Sequence, residues 1–104
     1  MYTIIWEYLV KAEYLAEFEK FYAPDGAWTK LFRKSAGYLN TELLHDSNHS
    51  RRYITIDRWI SLEGHEAFLV QWQNEYQILD EQCAAFTKRE SMLGNWESVN
   101  SKLR

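Results

Sequence analysis

Arg52-Tyr53-Ile54-Thr55-Ile56-Asp57-Arg58-Trp59-Ile60, closed by Ser61, is the stretch on which the fold turns. β-Branched and aromatic residues dominate it, which predicts an extended strand. Side chains alternate across a strand. Ile54, Ile56, Arg58 and Ile60 therefore share one face, and Tyr53, Thr55, Asp57 and Trp59 share the other. The first is a packing face with a single charge. The second mixes rings with a hydroxyl and a carboxylate, which suits a cavity wall. A partly solvated sheet face with Trp59 in the core fits the same pattern.

Reading outward, Asp46-Ser47-Asn48-His49-Ser50 is a polar turn and Tyr38 to His45 a second β-prone run, so the two strands form a hairpin. On the other side Ser61 is placed to cap a long helix from about Leu62 to Phe86, with Glu63 and Gly64 in its first turn. Phe68, Trp72, Tyr76, Leu79, Cys83 and Phe86 recur at steps of three or four, marking one buried face. Tyr2 to Val10 reads as a strand that is apolar on both sides and so covered on both, Glu7 being the exception. Ala12 to Tyr22 has helical spacing in Leu15, Phe18 and Tyr22. Ala23-Pro24-Asp25-Gly26 breaks it, with Asp25 as a capping candidate for a short helix that turns Trp28, Leu31 and Phe32 inward and ends by Gly37. Lys88 to Val99 reads as a last strand, weakened by Gly94, and residues 100–104 as a frayed tail, with 101–104 beyond the domain proper.

The order β-α-α-β-β-α-β gives one domain over residues 1–100. It is a ferredoxin-like α+β layer, an antiparallel sheet with helices on one face. The helices leave the Ile54, Ile56 and Ile60 face bare. A second copy is the simplest cover, so a homodimer is expected.

Composition narrows the function classes. The 104 residues carry a net charge of −3 and no basic stripe, so nucleic acid is not an expected partner. Cys83 stands alone, which rules out an internal disulfide and a cysteine-rich metal site. No phosphate loop, nucleotide fingerprint or metal-spaced cluster is present, and no metal ligand is expected. No run approaches the ~20 apolar residues of a membrane span, and no secretory leader is legible at the start, so no membrane partner and a cytoplasmic location are expected. Aromatic residues reach 16%, more ring surface than a minimal core needs, which points to a cavity or an interface.

Ala36-Gly37-Tyr38-Leu39 leading into the second strand, Arg58-Trp59-Ile60-Ser61 closing the third, and the aromatic helix that follows resemble the antibiotic biosynthesis monooxygenase family of dimeric α+β barrels, over nearly the whole chain. The resemblance implies a homodimer with a pocket between the sheet and helices of each subunit. Compared with the family's quinone-forming oxygenases, Trp59 matches their strand-three tryptophan. Thr55 stands at their asparagine, His65 at their tyrosine and Leu79 at their helix arginine. Against the haem-degrading branch, Trp72 can match the helix tryptophan. Glu7 replaces the required asparagine, and Gln82 and Cys83 occupy the region of the axial histidine, so no haem is expected.

The resulting expectation is a monooxygenase-like protein that needs no cofactor and acts on a small hydrophobic aromatic compound. In such chemistry the substrate anion itself reacts with dioxygen. Asp57 or Glu7 is the candidate base and His65 the candidate proton shuttle. Thr55, Trp59, Trp72 and Tyr76 are the candidate substrate-binding walls. Both acids have a structural alternative, an ion pair with Arg52, Arg58 or Arg89. A non-catalytic ligand-binding or accessory dimer, and an isomerase, cyclase or lyase on the same scaffold, remain open beside the oxygenase. Acids with shifted pKa values converging on the pocket favour catalysis, and acids tied up in ion pairs favour the others.

Overall fold

A computed structural model describes residues 1–99, so the expectation for the tail, 100–104, lies outside the described residues. The elements are β1 (Tyr2–Val10), α1 (Leu15–Tyr22), α2 (Ala27–Phe32), β2 (Tyr38–His45), β3 (Arg52–Trp59), α3 (Leu62–Gln71), α4 (Gln73–Cys83) and β4 (Thr87–Glu97). Single 3₁₀ turns at Ala12–Tyr14 and Ala84–Phe86 lead into α1 and out of α4. The strands form one four-stranded antiparallel sheet in the order β2-β3-β1-β4. This is the ferredoxin-like α+β arrangement.

Register decides what faces what. β1 and β3 pair Tyr2 with Trp59, Ile4 with Asp57, Trp6 with Thr55 and Tyr8 with Tyr53. All eight lie on the helix-covered face. Phe18 and Tyr22 of α1, Trp28, Leu31 and Phe32 of α2, Phe68 of α3, and Leu79 and Cys83 of α4 close over that face as one core. The opposite face carries Ile5, Glu7 and Leu9 of β1 beside Ile54 and Ile56 of β3. No helix covers it.

The α1–α2 corner is built by close approach. A Cβ on Gly26 would sit 2.6 Å from the carbonyl oxygens of Lys20 and Phe21. Gly26, not Asp25, occupies the N-cap of α2, and no side chain caps it. Instead the Pro24 carbonyl accepts from Thr29 Oγ1 and from Arg33 Nη2, each at 2.8 Å. Ser61 does cap α3, accepting from the Gly64 N–H at 3.0 Å.

The expected single helix of 62–86 is two. Trp72 leaves helical geometry (φ −112°, ψ 26°). The hydrogen bonds Trp72 N–H to Phe68 O and Tyr76 N–H to Trp72 O, each 2.9 Å, keep the segments joined through the bend. Bending lets Phe68 on one arm and Leu79 and Cys83 on the other reach one core. β4 also departs from regularity: Ile5 pairs with Gly94 but Trp6 with Met92, so Leu93 is the extra residue of a bulge.

Candidate active site

The site starts from the pairing of β2 with β3. Thr41 lies directly beside Asp57 in the register. Thr41 Oγ1 donates to Asp57 Oδ1 at 2.6 Å and accepts from Tyr38 Oη at 2.7 Å. Asp57 is only 9% exposed. Burial pushes its carboxyl up to about 6, and the Thr41 hydrogen bond offsets a part of that rise. Near neutral pH such a carboxylate is ionised yet holds a proton far better than an ordinary aspartate, as a general base must. The Thr41 and Tyr38 hydroxyls give the proton a hydrogen-bonded path away from it.

Asp57 faces a cavity between sheet and helices with about 480 Å³ of free space, part of it open to solvent. Its floor is Trp6, Tyr8, Thr41, Thr55 and Asp57 from the sheet. Tyr22, Trp28 and Phe32 make one wall, Tyr76 and Asp80 of α4 another, and Glu90 of β4 closes the rim. The rings meet at steep angles: Tyr8 and Tyr22 have centroids 5.0 Å apart at 60°, and Trp28 and Tyr76 5.0 Å apart at 65°. Burial raises the phenols of Tyr8 and Tyr22, and that of Tyr76 is pushed up to about 12, so all three stay protonated as potential donors. Thr55 Oγ1 points at Tyr8 Oη, 3.4 Å away.

A second hollow adjoins the first and shares Trp6, Phe32, Asp57 and Tyr76 with it. Ile4, Trp59, His65, Leu69 and Met92 complete its lining. Trp59, 1% exposed, meets the His65 ring edge-on at 4.9 Å. Burial lowers the His65 pKa, so its imidazole is neutral near pH 7 and able to accept a proton.

The structure thus brings together Asp57, Thr55, Trp59, His65 and Tyr76 around joined cavities. It does not bring in two others. Glu7 points to the opposite sheet face, where Arg52 Nε donates to its Oε2 at 2.6 Å and Arg52 also pairs with Asp46. Its parity with Ile5 and Leu9 dictates that side, so Glu7 is an ion-pair partner of Arg52 away from the cavity. Trp72 lines neither cavity. The bend turns its ring toward Lys34, whose Nζ lies 4.9 Å from the ring centroid. Sequence reasoning missed Trp6, Tyr8, Tyr22, Trp28, Thr41, Asp80 and Glu90. Trp6 and Tyr8 were legible from their parity with Ile4, and Asp80 from its place one turn beyond Tyr76. Glu90 depends on the β1–β4 register, which the bulge shifts.

Fold comparison places this geometry. A single-residue variant of SnoaB, described as a cofactor-independent oxygenase from Streptomyces nogalater, aligns over 96% of this chain and 94% of its own with a TM-score of 0.79 at 18% identity. An antibiotic biosynthesis monooxygenase candidate from Deinococcus radiodurans aligns over 97% and 95%, with a TM-score of 0.79 at 12% identity. One from Bordetella bronchiseptica aligns over 95% and 97%, with a TM-score of 0.76 at 18% identity. The chain has the antibiotic biosynthesis monooxygenase fold. No family model matches its sequence, and no curated protein does. On this antibiotic biosynthesis monooxygenase fold the cavity lies between sheet and helices, where the resemblance in sequence puts it.

Proposed function

We propose that the protein is a cofactor-independent oxygenase of the antibiotic biosynthesis monooxygenase type, acting on a small hydrophobic aromatic compound as a cytoplasmic homodimer. The observation that carries this reading is Asp57. It is a buried carboxylate without an ion-pair partner among the described residues, facing an aromatic cavity on a fold shared with a described cofactor-independent oxygenase. Acids tied up in ion pairs would have favoured a passive binder. Glu7 is tied up, and Asp57 is not.

In the proposed reaction Asp57 removes a proton from an activated ring CH₂ or phenol, leaving an electron-rich anion. That anion gives one electron to dioxygen, and the radical pair combines to form a C–O bond. The resulting peroxide anion takes a proton, passed from Asp57 directly or through His65. Loss of water then leaves a carbonyl, so CH₂ and O₂ become C=O and H₂O. The protonated phenols of Tyr8, Tyr22 and Tyr76 are placed to donate hydrogen bonds to oxygen that gains charge. The rings exclude water from the anion.

Oxygen uptake with anthrone-like and dihydronaphthoquinone-like substrates, without added cofactor or metal, tests the proposal. Stoichiometric oxygen consumption with quinone formation is expected. Asp57→Asn should lower kcat by about 10²-fold or more, the scale of a lost general base. Unchanged turnover in that variant would remove Asp57 from the mechanism.

A further inference from the structure

The cavity has a charge that its proposed chemistry does not require. Asp57, Asp80 and Glu90 line it, and among the described residues no Lys, Arg or His does. The ion pairs among the described residues join Arg52 to Glu7 and Asp46, and Arg58 to Glu42. None reaches these three acids. The Glu90 carboxyl is raised by partial desolvation and then by the neighbouring charge of Asp80, and no cation among the described residues opposes either. Like charges held together without a counter-ion are a standing cost, which a bound positive charge would remove.

The remaining lining is aromatic. Trp28 meets Tyr76 at 65° and Tyr22 at 43°, and the three rings line the cavity together with Asp80 and Glu90. Rings surrounding a void, with carboxylates at its mouth, form a cage for an organic cation, since ring faces carry partial negative charge. One buried polar group faces the same space with room for a further partner. Asp57, nine-tenths buried, has Thr41 as its one side-chain hydrogen-bond partner, through Oδ1. The Trp28 indole is turned to the Tyr22 hydroxyl and the Cys83 thiol and so offers the ligand its ring and not its N–H. Asp57 suits a ligand that bears a hydrogen-bonding group. A bare metal ion fits less well, because among the described residues no group of three or more His, Cys, Asp and Glu is arranged to hold one.

We infer that the ligand of this cavity is an aromatic molecule bearing a positively charged nitrogen, a protonated amine or quaternary ammonium. The ammonium sits at the rim between Asp80 and Glu90. The ring lies inward among Tyr22, Trp28 and Tyr76, with a polar substituent reaching Asp57. The inference rests on the reading of this cavity as the substrate site, but not on proton abstraction by Asp57.

Three probes of similar size and different charge test it: 2-phenylethylammonium, 2-phenylethanol and 3-phenylpropionate, titrated by tryptophan fluorescence, since Trp6 and Trp28 line the cavity. The ammonium should bind roughly tenfold or more tighter than the alcohol, and the carboxylate should not bind measurably. In Asp80→Asn/Glu90→Gln the preference for the ammonium should shrink towards parity while affinity for the alcohol stays. Both positions are exposed, so the fold should tolerate the change. Equal or tighter binding of the alcohol or carboxylate, no saturable binding of the ammonium, or a preference unaltered by the double variant would each overturn the inference. The readout needs no turnover. Cation preference without oxygen uptake would retire the oxygenase reading and leave this one, and the reverse result would do the opposite.

Discussion

At the scale of single residues, Asp57 ties function to stability. Its carboxyl titrates at about 6 in the folded chain, against an ordinary aspartate value near 4 in the unfolded one. Between those values the folded state holds a proton that the unfolded state has released. Stability from this group is therefore full below about pH 4, falls as pH rises, and is gone above about pH 6. The difference corresponds to about 3 kcal/mol. Replacing Asp57 with Asn keeps the shape and the acceptor for Thr41 but removes the buried charge. Asp57→Asn should thus stabilise the protein at pH 7.5 by up to that amount while lowering turnover. His65, whose pKa is lowered, has the opposite slope, with stability rising as pH climbs towards its unfolded value. Subtracting the variant's urea-unfolding curve from that of the parent at several pH values isolates Asp57. A difference that does not change between pH about 4 and about 7 would show that its burial carries no such penalty. Trading stability for a poised acid in this way is common at active sites.

At the scale of elements, close packing at the α1–α2 corner sets where Trp28 and Phe32 enter the cavity wall. Gly26 has an ordinary negative φ of −85°, so space and not backbone conformation demands glycine there. Gly26→Ala should cost roughly 1–3 kcal/mol in urea unfolding, the scale of overpacking. A neutral result would mean that the corner relaxes freely. The same elements show what the sequence made legible. Period-two alternation in Tyr53 to Trp59 was enough to aim Asp57 at the helices, and the β-prone runs were enough to find the strands, while the order β2-β3-β1-β4 comes from the structure. The steps Phe68, Tyr76, Leu79 and Cys83 were enough to find the buried helix face. Trp72 shares that spacing, yet a local bend at the residue itself rotates it out of the site, and periodicity assumes a straight helix. Glu7 lay open between two roles, because a carboxylate on a two-sided strand can pair or react. Only the register that sets it beside Arg52 decides. The Tyr38–Thr41–Asp57 chain needed the β2–β3 register as well, together with the irregularity that lets Tyr38 and Thr41 share a face.

At the scale of the whole molecule, the uncovered sheet face makes an argument about assembly. Ile5, Leu9, Ile54 and Ile56 are half-buried there with no helix of the described residues above them, while Leu44, Ile60 and Trp96 are exposed beside them. The Trp96 ring is laid against Gly94, where an added Cβ would come within 2.8 Å of it. The ion pairs of Arg52 with Glu7 and Asp46, and of Arg58 with Glu42, punctuate the same sheet and can fix the register of a partner as well as keep the face soluble. A contiguous apolar area of this kind on a small domain marks an interaction surface. An antiparallel sheet face is flat and presents the same residues on each copy, so a twofold pairing of identical chains satisfies it with one surface. A stable pair needs to bury about 800 Å² on each partner, an extent that the face of a four-stranded sheet can supply. The protein should therefore sediment as a species of twice its 12.5 kDa chain mass at micromolar concentration. Ile56→Glu, at the middle of the face, should split it into folded monomers with an unchanged circular dichroism spectrum, because Ile56 does not belong to the buried core. The cavity lies on the other side of the sheet, so binding of 2-phenylethylammonium should survive the split. A parent protein that sediments as a monomer would sink the assembly proposal. It would leave the Ile54–Ile56 face to be explained by a different partner.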